Sequence, residues 1–458
     1  MLYFPLAVWL CLSLGIDSLQ AQAARNFPDT LRPHYIQRTE GGHYRMAMLS
    51  LKEALPEKEA AVSRPSEPAD KLVPLEAKAT SVVLLLPPGR RFEELYLMLG
   101  SGDSVRLRPG HQAATDSGWT RSQLVMLEGP SKLLRLRAYA GLPSRLALQL
   151  MYAPPVDDRR IRPQKAPRQK GAQGSTGSVA RPATIPQESW RAGLPDPRPN
   201  PQPTPSQHLI VHHTAGSNTD TQYVEVVRNI YLFHLQGRGW DDIGYNFLIA
   251  QNGWIFEGRD GQGVADDDRI RGAHFCGKNS YTMGVAVLGN YQETFPPYPA
   301  GEALSDLLAW KADKEALSPY AAAIHPPEGG GSLPVIAGHR DGCATVCPGD
   351  LFYPELPRLR DDVARRIGVP VAVAKPESAD GDALPFDRRA NGKGVRLASG
   401  QAARYSRARL ISADGRTMRQ WQTLSAGQRL RWGQLASGWY WLVFSDGQTT
   451  RSYRLWVG

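Results

Sequence analysis

The sequence predicts an α/β domain with a central mixed sheet and flanking helices over residues 187–368, preceded by a β-rich domain and followed by a small β-sandwich. Three observations predict it. From His208 to Ile367, short apolar runs alternate with helical periods. On either side, only short apolar or alternating runs recur, punctuated by Gly, Pro and Ser-Gly. Breaks in composition separate the three parts, the first of them rich in proline. The chain of 458 residues has room for roughly two to four domains. An apolar share of 41% supplies ordinary cores, and a charged share of 21% argues against wholesale disorder.

Met1 to Ile16 is apolar, and Ala21-Gln22-Ala23 is a small-x-small cleavage site, so residues 1–23 read as a signal peptide. Its n-region carries only the terminal amine. A membrane anchor is the competing reading. The run is short of the roughly 20 residues a span needs, and Asp17 interrupts it. No other segment is apolar enough to span, so no transmembrane segment is expected after cleavage. Within residues 24–155, strands are expected at Val82–Leu86, Leu95–Leu99, Leu133–Leu136 and Leu146–Leu150. No chemical constellation falls among them.

Residues 156–186 read as a Pro/Arg-rich linker. Twelve prolines lie between 154 and 206, which favours an extended chain. Between Ala153 and Ser206 there are nine Lys or Arg against four acids, half of the formal net charge of +10. Trp190 is the only aromatic residue among them, so nucleic acid is not an expected partner. A solvated basic linker is the plain reading.

In the α/β segment, His208–His213 is a short strand ending on two histidines. Thr219–Gln236 has a helical period through Tyr223, Val227, Ile230 and His234, with Thr219 or Asp220 as its cap. Ile243–Ala250 reads as a buried strand, and Asn252-Gly253 as the hairpin turn into Trp254–Glu257. Met283–Leu288 and Val335–Ala337 are further strands. Glu302–Leu317 and Pro357–Ile367 are helices. Trp240 and Trp254 are expected in the core. A linker over 369–384 then leads to residues 385–458, where Asp414-Gly415 and Asp446-Gly447 mark hairpins.

Metal-ligand chemistry concentrates in four segments: Val211-His212-His213-Thr214, Gly244-Tyr245-Asn246, Gly338-His339-Arg340-Asp341 and Thr345-Val346-Cys347-Pro348-Gly349. Two imidazoles and a thiolate make a zinc shell with a fourth position open. His212 and His339 each end an expected strand, and strand ends of α/β sheets share one crevice. Alone, either histidine reads first as a hydrogen-bonded strand-end residue. His213 follows His212 on the strand and points the other way, so it is read as structural. Once the signal leaves with Cys11, three cysteines remain, an odd number that a metal can absorb.

From Ser189-Trp190 to Ile367 the sequence resembles the type 2 N-acetylmuramoyl-L-alanine amidases, the family that includes peptidoglycan recognition proteins. Trp190, Ile210–Ala215, Gly239–Ile249, Gly272-Ala273-His274, Gly338–Asp341 and Thr345–Tyr353 carry the resemblance, in that order. The resemblance implies Zn2+ held by His212, His339 and Cys347, with Tyr245 assisting catalysis. Thr345 stands where some members carry lysine, so oxyanion stabilisation would rest on Thr345, Tyr245 and the metal. His274 is placed on the groove wall as a substrate-binding candidate. Cys343, four residues before Cys347, is the alternative donor, although the Cys-Pro-Gly context favours Cys347. Cys276 and Cys343 can then pair as a disulfide in an oxidising compartment. The implied reaction is hydrolysis of the amide between N-acetylmuramic acid and L-alanine, with peptidoglycan or muropeptides as partners. The alternative is a non-catalytic peptidoglycan receptor, and receptor members commonly lack the cysteine.

Residues 385–458 resemble the C-terminal sorting domain of type IX secretion substrates. Arg407–Ile411, Asp414-Gly415, Leu435–Tyr440 and Tyr453–Val457 carry that resemblance. It implies the type IX machinery as a partner, and export through the inner membrane to a secreted or cell-surface location. The periplasm is the alternative. A sugar-binding β module is the competing reading of the same strands.

Overall fold

A run of Leu209, Ile210 and Val211 flanked by histidines has no polar face to offer water, and the His208–His213 strand is buried at every position. Such strands belong in the middle of a mainly parallel sheet. In this computed structural model the strand lies between Thr282–Val287 and Ile336–Gly338, parallel to both. Phe247–Ile249 adds a further parallel strand beyond Thr282–Val287, and Ile255–Glu257 closes that edge antiparallel. The structure describes residues 31–50, 69–165 and 179–370, isolated positions aside, and parts of 386–457. The signal peptide lies outside the described residues. Among them, no helix is long and apolar enough to cross a membrane.

The helices Tyr298–Lys314 and Leu356–Arg366 supply Leu304, Leu307, Leu308, Leu359 and Val363 to one core with Val211, Phe247, Met283, Val285 and Ile336. The first begins four residues earlier than expected, because Pro299 is tolerated in a first turn. The expected strand over Ile243–Ala250 shortens to Phe247–Ile249. Its first residues bond elsewhere: Gly244 O accepts from Ala273 N–H, and Asn246 N–H donates to Gly284 O. The Asn252-Gly253 hairpin is present, with Gly253 at φ +87°. A hairpin of Ala322–His325 and Gly331–Pro334 was not expected from the sequence.

By packing, the described residues up to Asp157, with 191–198 and 222–243, form one compact unit, and the other described residues form the second. The first unit carries a nine-stranded sheet in which Ala69–Leu86 pairs antiparallel with both Val125–Ala138 and Arg145–Met151. Its helix runs over Tyr223–Leu232 and ends in a π turn, Phe233–Gly237. The expected start at Thr219 or Asp220 is wrong, since both backbone N–H groups are spent on the Ser217 hydroxyl. The second unit ends in a three-stranded and a four-stranded sheet around one core that includes Val395, Leu410, Leu430, Leu442 and Phe444. Asp414-Gly415 and Asp446-Gly447 lie outside the described residues. The strands on either side of each pair antiparallel.

The solvated-linker reading fails at Arg181. Its guanidinium pairs with Glu257 at 2.8 Å and Asp267 at 2.6 Å, and lies over the Trp310 ring at 5.0 Å. Trp240 and Trp254 are half-buried rather than core, each under an arginine, Arg238 and Arg162 respectively.

Candidate metal centre

His212 leaves the C-terminal end of the central strand, and His339 follows the end of its neighbour Ile336–Gly338. Parallel pairing brings both imidazoles to one end of the sheet, with ring centroids 4.5 Å apart. Cys347 comes from the loop beyond His339. That loop folds back because Arg340 N–H donates to Cys347 O at 3.1 Å, and Thr345 Oγ1 accepts from Cys347 N–H at 3.2 Å. The donor atoms of His212, His339 and Cys347 lie within 4.8 Å of one another, and all three residues are buried.

Hydrogen-bond directions fix which atom His212 offers. The Thr282 hydroxyl donates to Asn279 O at 2.8 Å, so at 3.3 Å it accepts from His274 Nε2–H. A neutral imidazole has one N–H, and His274 Nδ1 is therefore an acceptor. It receives His212 Nε2–H at 3.0 Å. His212 Nδ1 then carries the lone pair, 3.7 Å from Cys347 Sγ. Tetrahedral zinc at ordinary bond lengths separates a nitrogen and a sulfur ligand by roughly 3.6 Å. The donor set thus fits zinc in chemistry and in spacing. Burial pushes the Cys347 thiol up to about 12, against the His213 N–H at 3.3 Å and the Arg340 charge. A thiolate here calls for a cation.

Tyr245 is buried, with its ring centroid 5.3 Å from that of His212. Asn246, the next residue, donates from Nδ2 to Asp267 O and Ile270 O, and accepts Gly284 N–H. Thr345 is half-buried. Its oxygen caps the Cys347 amide, and its own hydrogen remains available to donate. His213 accepts Tyr291 N–H at Nδ1 and is buried, consistent with a structural role. Cys276 and Cys343 form a disulfide with a Cα–Cα separation of 6.2 Å.

His274 is only 1% exposed and bonds to His212, which places it as a candidate orienting partner of a candidate ligand. Its ring occupies a slot that only glycine allows: a Cβ on Gly272 or Gly284 would lie 2.5 Å from it. Thr282 and Asn279, which complete the chain, went unnoticed in the sequence. Their side chains carry no metal-ligand signal, and only the fold sets them beside His274.

Residues 202–350 match the family model described as N-acetylmuramoyl-L-alanine amidase. Peptidoglycan recognition protein 1 of Bos taurus is 34% identical over 152 residues, covering 32% of this chain and 70% of that protein. Peptidoglycan-recognition protein SC1a of Drosophila melanogaster is 34% identical over 152 residues, covering 32% and 71%. An N-acetylmuramoyl-L-alanine amidase of Sus scrofa is 33% identical over 192 residues, covering 40% of this chain but 29% of its own length. The solved structure of Drosophila PGRP-LB covers 38% of this chain and 91% of its own, at 25% identity and a TM-score of 0.31. The family model's match, residues 202–350, takes in neither the β-rich region before it nor the two small sheets after it. Through residues 202–350, the chain belongs to the family of N-acetylmuramoyl-L-alanine amidases and peptidoglycan recognition proteins.

Proposed function

We propose that this protein is an exported, zinc-dependent N-acetylmuramoyl-L-alanine amidase that cleaves the bond between N-acetylmuramic acid and L-alanine in peptidoglycan or its fragments. The observation that carries the reading is the convergence of His212 Nδ1, His339 and Cys347 Sγ at one end of the sheet, with the His212 tautomer set by His274. Zinc bound there would supply Lewis acidity and bring a coordinated water toward a pKa of about 7. The remaining work falls to the chain. His274 and Thr282 hold His212 in one orientation. The Tyr245 hydroxyl, beside His212, would donate to the oxyanion that develops on the lactyl carbonyl, and Thr345 is the second donor. Arg340 fixes the Cys347 loop through Cys347 O, and through Asp350 at 2.9 Å.

Export rests on the apolar Met1–Ile16 run and Ala21-Gln22-Ala23. A type IX route, ending in secretion or surface display, rests on residues 385–458. The test is a digest of purified peptidoglycan by the full chain after signal removal, with and without chelator, read by mass spectrometry. Free stem peptides beginning with L-alanine, lost with chelator and restored by zinc, are expected. Binding without cleavage under any divalent metal would leave the receptor reading, and an intact donor set without a task.

A further inference from the structure

Beside the candidate metal centre lies a second group of donors that hydrolysis leaves unused. The atoms of Cys276, Cys343 and His339 that can bind a metal also lie within 4.8 Å of one another. His339 therefore belongs to two sets. One is His212–His339–Cys347. The other is closed off because Cys276 and Cys343 are joined to each other. The bridge ties two loops: His274 and Cys276 sit on one, and His339, Cys343, Thr345 and Cys347 on the other. Cys276 is exposed and Cys343 half-exposed, whereas Cys347 is 1% exposed. A reductant can therefore reach the bridge before it reaches the buried ligand. Lys278 crosses between the loops, its ammonium 3.2 Å from Gly342 O, a positive charge beside the thiolates that reduction would create.

We propose that the Cys276–Cys343 bridge is a redox-gated second metal site, whose opening draws His339 away from His212 and Cys347. The proposal rests on the reading of His339 as a zinc ligand. A small dithiol supplies the two electrons. Its thiolate attacks one bridge sulfur, its second thiol resolves the mixed disulfide, and it leaves as a cyclic disulfide. Cys276 and Cys343 are left as thiols, having gained two protons. Binding a soft divalent cation such as zinc releases those protons and forms a two-sulfur, one-nitrogen set with His339. The sulfurs need only part to roughly 3.8 Å to share a tetrahedral ion. Two thiolates and one imidazole compete well with one thiolate and two imidazoles for a thiophilic ion. At one metal per chain, an ion held by Cys276, Cys343 and His339 is lost to His212 and Cys347. The oxidised chain keeps His339 for the catalytic set. The reduced chain surrenders it.

The test loads the full chain with one equivalent of cobalt(II). Thiolate-to-cobalt charge transfer is recorded before and after reduction, with the reductant removed under argon and new thiols counted by alkylation and mass spectrometry. Two new thiols, an about twofold rise in charge-transfer intensity as two thiolates replace one, and an at least fivefold drop in amidase rate at one metal per chain are expected. The C276S/C343S chain should keep the one-thiolate spectrum under either condition. If that variant does not accumulate folded, wild-type protein reduced and alkylated at Cys276 and Cys343 takes its place, with the same expectation. Two new thiols with an unchanged spectrum would overturn the gate alone. So would a bridge that survives a reductant able to open an exposed disulfide. Cobalt bound by neither form would overturn the reading of His212, His339 and Cys347 as ligands, and the gate with it.

Discussion

His274 sets which nitrogen His212 presents, and it does so from a buried position. Losing an orienting partner of a metal-bound histidine typically weakens metal affinity about 10–100-fold. His274→Ala should therefore raise the zinc dissociation constant by about that factor in a chelator competition, with the fold unchanged by circular dichroism. Thr282→Val keeps the ring but removes the acceptor of its Nε2–H, so its effect should be smaller and of the same sign. Gly284→Ala should match His274→Ala, because the new Cβ takes the ring's place. Equal zinc affinity in all three would remove His274 from the centre. Tyr245→Phe separates binding from catalysis. With zinc affinity unchanged, kcat should fall about 10²–10³-fold if its hydroxyl serves the oxyanion, and full turnover would end that role. The three candidate ligands were legible in the sequence through the family resemblance of the segments around His212, His339 and Cys347, since a strand-end histidine alone reads as an ordinary hydrogen-bonded residue. The orienting residues were not, because glycine, threonine and asparagine gain meaning only from what the sheet puts next to them.

At the scale of elements, the segment after the Ile255–Glu257 strand is held by charge. Lys311, on the Tyr298–Lys314 helix, pairs with Asp268 at 2.5 Å, and both side chains are fully buried. Lys314 adds a second cation at 3.0 Å. The neighbouring Asp267 O accepts from Asn246, next to Tyr245, so this ion cluster adjoins the segment that carries Tyr245. Removing one partner of a buried pair strands the other, at about 3–5 kcal/mol. Lys314 softens the loss here, so Lys311→Met should cost about 3 kcal/mol and lower the melting temperature by roughly 5–10 °C. Burial works to raise the Asp268 carboxyl, but Lys311 and Lys314 outweigh it and hold the group below its ordinary value. A carboxyl depressed in the folded state stabilises the fold above its unfolded pKa of about 3.9, and that contribution is lost as pH falls through the lower folded value. The stability gap between wild type and Asp268→Asn should therefore be flat from pH 7 to about 5 and close below about pH 4. A gap that persists at low pH would show that the cluster acts through packing alone. Sequence periodicity found the helix, but not the ion pair. Lys311 reads as surface on any hydropathy pattern, and its burial follows from an acidic loop 43 residues earlier in the chain.

At the scale of the whole molecule, the helix Tyr223–Leu232 falls within the matched segment by sequence, yet by packing it belongs with the N-terminal sheet. Alternating apolar runs gave that sheet away, while nothing local announced that it would cover a helix far along the chain. The contact is polar and buried. Asn229 Oδ1 accepts from Thr80 and Ser81, both at 2.7 Å, and Arg228 Nη2 donates to Pro154 O at 2.8 Å. Gln149, on the same sheet, donates to Gly237 O at 3.0 Å. The strands that carry Thr80, Ser81 and Gln149 are therefore a structural partner of this helix. The strength of that partnership can be read from two hydroxyls. Ser81→Ala removes one donor and leaves Thr80 on the Asn229 oxygen, so it should cost about 1 kcal/mol. Thr80→Val removes the other donor and also strips Ala153 N–H of its acceptor, so it should cost about 2–3 kcal/mol. The double variant leaves Asn229 Oδ1 without either hydroxyl in a dry setting and should exceed the sum of the two. Calorimetry of the full chain should show that order in the transition that carries the N-terminal sheet. If instead the double variant melts like wild type, the helix is held by its apolar contacts alone, and a chain shortened to residue 158 onward should keep it folded. If the predicted order holds, that shortened chain would bare Asn229, now 0% exposed, and leave Arg228 without its Pro154 partner, and should aggregate before it can be assayed.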